Sequence, residues 1–160
     1  MAALSIAITL VIRIVLVLLF FPFSALDKIL NFHGAVSQAG EAVSNRTIAV
    51  ALVLAGLFVE IVMSLGILTG IGDRLCALIL AGYCGVTALL WKQFWKPGDF
   101  WTSANGKGRT LFWDFLKNFA LGAGFLLIIF GTNATSVRSF ITHPTWSSHP
   151  YRIVQKEVQP

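Results

Sequence analysis

The chain has 160 residues, of which 56% are hydrophobic and only 12% charged, and its mean hydropathy is +0.78. A soluble domain carries about 45–50% apolar and about 25% charged residues, so the composition excludes one and points to an integral membrane protein. The net charge of +5 comes from basic residues set between apolar segments, a pattern of membrane orientation and anionic-lipid contact rather than of nucleic-acid binding.

The first apolar run, Leu4 to Leu26, is long for a signal sequence, contains Arg13 and shows no A-x-A cleavage site; it reads as a retained helix. A span needs about 20 mostly apolar residues. Three further segments qualify: Thr47 to Gly70, Arg74 to Trp91 and Phe112 to Gly131. Residues 27–46, "DKILNFHGAVSQAGEAVSNR", are amphipathic and predict a short interfacial helix and a turn. "GIGDR" at 70–74 is a tight turn that makes the second and third spans antiparallel neighbours. Residues 92–109, "KQFWKPGDFWTSANGKGR", combine Trp, Gly and Lys and belong at headgroup level. From residue 132 onward, with Pro144, Pro150 and Pro160, the chain reads as an extramembrane, solvent-exposed tail. The membrane domain is thus residues 1–131 and the tail 132–160.

Lipid tails give helices no hydrophobic reason to associate, so small residues that let backbones approach carry the packing. Ala77, Ala81 and Gly85, Gly66 and Gly70, and Ala120 and Gly124 form such strips. The expected fold is all-α: an integral membrane four-helix bundle. Cys76 and Cys84 lie eight residues apart, roughly 12 Å along one helix, beyond the ~7 Å that a disulfide spans; they read as packing residues. His33, His143 and His149 are scattered. No metal site, dithiol or nucleophile–base set is visible, and no catalytic residue is assigned.

Lys28, Arg46, Lys92, Lys96, Lys107 and Arg109 all fall on the side of the first and third loops. By the positive-inside rule, loops 27–46 and 92–111 are expected in the cytoplasm and the termini outside.

Charges inside a membrane cost several kcal/mol and need partners. Counted from the same membrane face, Glu60 lies roughly 15 Å deep and Arg13 about 14 Å. The expectation is a buried Arg13–Glu60 ion pair, because a guanidinium stays charged and binds carboxylates bidentately. Near the opposite face, Lys28, Lys117 and Asn118 are expected to line a polar pocket walled by aromatic residues of the third loop, with His33 a possible neighbour. Asp114 shares a helical face with Lys117 and sits favourably near a helix N-terminus.

These charges come in a recognisable order. Arg13 opens "RIVLVLLFFPFSALDKILNF"; Glu60 lies in "LAGLFVEIVMSLGILTG"; Arg74 follows in "GDRLCALIL"; "LKNFALGAGFLLI" closes the set. The succession resembles the DoxX family of small bacterial membrane proteins, over roughly residues 10–131. Where family members often end the first helix with G-x-x-K, this chain has "SALDK". The resemblance implies a four-helix protein of the bacterial inner (cytoplasmic) membrane. It matches Arg13, Lys28, Glu60, Arg74, Lys117 and Asn118 to the family's polar pattern, with Arg74 a helix-end basic residue. The name-giving members look like subunits of a thiosulfate:quinone oxidoreductase, and others are linked with membrane redox and thiol-stress complexes.

Three functions follow, in order. The first is a non-catalytic accessory subunit of a larger membrane redox or energy-converting complex, with lipids and other membrane subunits as partners and no covalently bound cofactor. The second is a quinone-interacting oxidoreductase subunit, with Lys28, Lys117 and Asn118 facing the quinone carbonyls. The third is a small transporter with Glu60 as a proton-coupled site, disfavoured by the expected pairing and by the absence of a visible repeat.

Overall fold

Hydropathy alone dictates four rods, and four rods form. The computed structural model describes residues 2–102, 105–131 and 134–152, and all regular structure among them is helical. Four helices are long and apolar enough to cross a membrane: Ala3–Leu30, Arg46–Thr69, Asp73–Trp91 and Lys107–Phe130. The protein is an all-α, multi-pass membrane bundle.

The first span is not one straight helix. It begins as α1, Ala2–Val17, passes through a widened turn at Leu19–Ser24 and resumes as α2, Ala25–Leu30. Pro22 explains the interruption. Proline lacks a backbone N–H, and its ring drives the preceding residue out of helical geometry; Phe21 accordingly sits at φ −125° and ψ 119°. A short helix α3, Phe32–Gly40, follows. The second span starts as α4, Arg46–Phe58, where the Asn45 side chain accepts from the N–H groups of Thr47 and Ile48. It then takes one π-helical turn at Val59–Met63 and finishes as α5, Ser64–Thr69. Gly70 and Gly72, both at positive φ, reverse the chain into α6, Asp73–Trp91. The tight turn expected at 70–74 is therefore real, and glycine makes it possible.

The fourth span, α7, Lys107–Phe130, begins five residues before the expected Phe112. Asp99 causes the extension: its Oδ1 accepts from the Gly108 N–H at 2.8 Å and so caps the new first turn. The loop aromatics do not wall a pocket. Phe94 stands among Trp95, Phe100, Phe112 and Phe115, with ring centroids 5.1–5.6 Å away, forming a separate cluster.

The core is small. Val17, Phe20, Ile67, Leu80, Cys84, Phe125 and Ile129 are buried together, and Phe20 touches both Phe125 and Tyr83. Small residues set the helix spacing, though not all those expected. Ala77 is fully buried, Gly66 lies directly against Cys76, and Gly124 against Leu16. Gly122 rather than Ala120 brings α7 onto Ala81 and Cys84 of α6; Ala120 is exposed. Gly85 has open space beside it. Cys76 and Cys84 are free thiols.

The tail carries a helix and contacts back to the bundle while staying largely exposed. Helix α8, Ala134–Thr142, lays Phe140 edge-on to Phe130, and residues 143–152 turn back over the Gly70–Gly72 reversal. Tyr151 donates its hydroxyl to the Leu68 carbonyl, and Pro150 lies on Gly70. The physical reason is unmet hydrogen bonding. The last carbonyls of a helix have no partner within it, and the Tyr151 hydroxyl meets one of them, that of Leu68. Residues 153–160 lie outside the described residues.

The Gly66–Cys76 contact is testable. Gly66→Leu must force α5 from α6, and overpacking of this kind costs about 1–3 kcal/mol. Gly82→Ala adds a methyl to open space and should hold or raise the melting midpoint. Thermal unfolding of the purified protein in detergent reads both.

Candidate functional site

Burying a charge in a membrane bundle requires a partner for it, and this bundle has two such charge pairs. The first joins α1 to the reversal between the second and third spans. Arg13 is 6% exposed and Asp73 0%. Arg13 Nη2 donates to Asp73 Oδ2 at 2.6 Å, and Nη1 donates to the Ile67 carbonyl at 2.6 Å. The tail completes the shell: the Ser148 N–H donates to Asp73 Oδ1 at 2.8 Å, the Ser148 hydroxyl bonds the same carboxylate, and the Tyr151 ring lies beneath the guanidinium. Asp73 also occupies the first turn of α6, where the helix dipole favours a negative charge.

The second pair holds the carboxylate that the sequence made conspicuous. Glu60 is 1% exposed and sits in the π-helical turn. Three donors converge on its Oε1: Lys28 Nζ at 2.7 Å, the Tyr83 hydroxyl at 2.9 Å and the Ser24 hydroxyl at 3.0 Å. Lys28 also donates to Ser24 Oγ at 2.6 Å. Among the described residues, Glu60 Oε2 has no hydrogen-bond partner, and neither has Ser64 Oγ one turn further on.

The expected Arg13–Glu60 pair is therefore wrong: each residue has a different partner. Counting depth from helix ends assumed that the first and second spans end level. They do not. Arg13 bonds the carbonyl of Ile67, three residues before Gly70, so it stands at the end of the second span while α1 continues outward to Ala2. Glu60 lies two turns deeper, at the height of Ser24 and Lys28. Lys28 was placed at the membrane face; its long flexible stem instead carries the ammonium inward.

Beside the Glu60 pair lies a cavity of about 970 Å³. Lys28, Asp114, Lys117 and Asn118 all line it, together with Asp27, Lys92 and Tyr83. Asp114 anchors the far end: Lys92 reaches it at 3.3 Å and Lys117 at 3.5 Å, while Asn118 Nδ2 donates to its carbonyl oxygen at 2.9 Å. The rest of the lining is mostly apolar, with Leu16, Leu19, Phe20, Leu52, Val53, Val86, Trp91 and Leu121, and it includes the polar Asn31, Gln38 and Thr87. His33 lines a smaller cleft with Arg46 instead. Arg74 belongs to neither charge pair. Its Nη1 donates to Ser139 Oγ of α8 at 3.0 Å, and its buried Nε has no partner.

Sequence reasoning missed Ser24, Tyr83, Asp73 and Ser148. Ser24 precedes Lys28 by four residues, a spacing that puts both on one helix face, and this was the available signal. Asp73 was hidden by its own turn, where an acidic residue needs no further explanation.

The fold and the paired charges define a four-span membrane protein with an internal, polar-ended cavity. A family model for DoxX matches residues 8–93, more than half of the chain, and the protein belongs to the DoxX family. The match covers Arg13, Lys28, Glu60, Asp73 and Arg74 and ends before α7, so Asp114, Lys117 and Asn118 stand outside it. No curated protein and no solved structure matches the chain.

Removing one partner of a buried ion pair leaves an uncompensated charge, at a cost of about 3–5 kcal/mol. Arg13→Ala should therefore destabilise strongly. Replacing both partners with apolar residues, Arg13→Met with Asp73→Leu, should recover most of that loss. Unfolding midpoints of the single and double variants in detergent give the coupling.

Proposed function

We propose that this protein is a quinone-interacting subunit of a larger membrane redox complex, with the cavity next to Glu60 as the head-group site. The observation that carries the reading is the contrast between the cavity's ends and its walls. A quinone needs an apolar slot and a few donors for its carbonyls; its reduced form needs acceptors for its hydroxyls. Lys28 is the donor at one end, with an N–H beyond the two it gives to Glu60 and Ser24, and Lys117 and Asn118 are donors at the other. Glu60, which collects the Lys28 donor, lines the same end and is the acceptor there.

An accessory role fits the remaining surface. With residues 143–152 folded back, a partner's contact falls to the third loop, where Trp101 is 91% exposed. The bacterial inner membrane is the proposed location, and the basic residues of loops 27–46 and 92–111 favour their cytoplasmic placement. The two loops share one end of the bundle, since the Trp91 indole N–H donates to the Gln38 carbonyl at 2.9 Å.

The test is quinone affinity in lipid nanodiscs. A lost hydrogen bond to a charged group is worth about 1.5–3 kcal/mol, so Lys28→Ala should weaken binding by about tenfold or more. Lys96→Ala, on the exposed loop, should leave it unchanged. Equal affinity in a folded Lys28→Ala protein rejects the site.

A further inference from the structure

We infer that the cavity opens sideways into the membrane through a window between the first and fourth spans, and that its ligand is a membrane-resident quinone whose apolar chain passes between Leu19 and Leu121. This rests on the quinone reading and adds the route and the form of the ligand. The two spans meet where Gly124 faces Leu16, so closely that a Cβ on Gly124 would come within 3.0 Å of it, and where Phe20 packs on Phe125 at 5.8 Å. Toward the loop end they part. There the first span's continuation, α2, lies against α3 and α4, and Leu121, Asn118 and Lys117 of α7 line the cavity.

One residue of the first span marks the opening, about a turn beyond the Leu16–Gly124 contact. Leu19 is 56% exposed, yet it lines the cavity. A residue that faces lipid and cavity at once stands on the rim of an opening between them. The rim is aliphatic, which suits a hydrocarbon chain and excludes a charged group.

The lining charges select the head group. Asp27, Glu60 and Asp114 balance Lys28, Lys92 and Lys117, so the cavity has no formal excess of either sign. An uncharged ring with carbonyl or hydroxyl oxygens meets paired donors and acceptors there. An anionic phosphate would have to break existing ion pairs.

The test compares two benzoquinones with the same ring, one carrying only methyl groups and one a decyl chain, titrated onto the full chain in nanodiscs. Leu121→Trp narrows the window without touching a polar group. It should weaken binding of the decyl form by about tenfold and leave the methyl form within about twofold. Equal losses for both forms, or no loss for either, overturn the window. Failure of both forms to bind the unaltered protein overturns the quinone reading instead. The window is then read directly: lipids with brominated acyl chains should quench the fluorescence added by Leu121→Trp over that of the unaltered protein, and absence of that added quenching overturns it.

Discussion

The Glu60 carboxylate is the constraint around which the bundle is arranged. It lies in the middle of a span, almost wholly excluded from solvent, where an unpaired charge costs several kcal/mol. Three elements serve it, two of them through breaks in regular helix. The turn at Pro22 redirects the first span so that Ser24 and Lys28 both face inward, four residues apart. The π-helical turn at Val59–Met63 places Glu60 where these donors reach; such widened turns recur at functional positions. Tyr83 of α6 closes the third side, and its ring packs edge-on to Phe20. Breaks in helix geometry and a buried charge are each unfavourable alone. Together they bring three donors onto one oxygen of Glu60, with a cavity beside them.

The second pair explains the end of the molecule that carries the tail. Arg13 and Asp73 join two spans that would otherwise meet only through apolar contacts, and a guanidinium–carboxylate pair fixes their relative height. The pair is shielded because Ser148 and Tyr151 lie over it. The tail thus supplies two of the donors to Asp73.

What the sequence revealed and concealed follows from the kind of information each feature carries. The four spans were legible because hydropathy is a property of each residue in place. The grouping of Lys28, Asp114, Lys117 and Asn118 around one volume was legible because a shared membrane face fixes height, and height is countable. The partners of Arg13 and Glu60 were not, because pairing depends on the vertical offset between helices and on side chains that extend several ångströms along the axis. Ser24 and Tyr83 carry no charge and are inconspicuous in an apolar run. The contact between Ser148 and Asp73 joins residues 75 positions apart, and no local pattern encodes it.

The two pairs differ in how their donors are distributed, although each carboxylate accepts three. Around Asp73 both carboxylate oxygens accept hydrogen bonds, and Arg13 donates to a carboxylate, a carbonyl and a hydroxyl. That pair ties α1 to the start of α6 and to the tail. Glu60 concentrates three donors on one oxygen and leaves the other with none, although a carboxylate offers about four acceptor sites. A buried polar group without a partner weakens the fold unless something else supplies the bond. Glu60 lines the cavity and the Arg13–Asp73 pair does not, which is why the proposed ligand site is set beside Glu60.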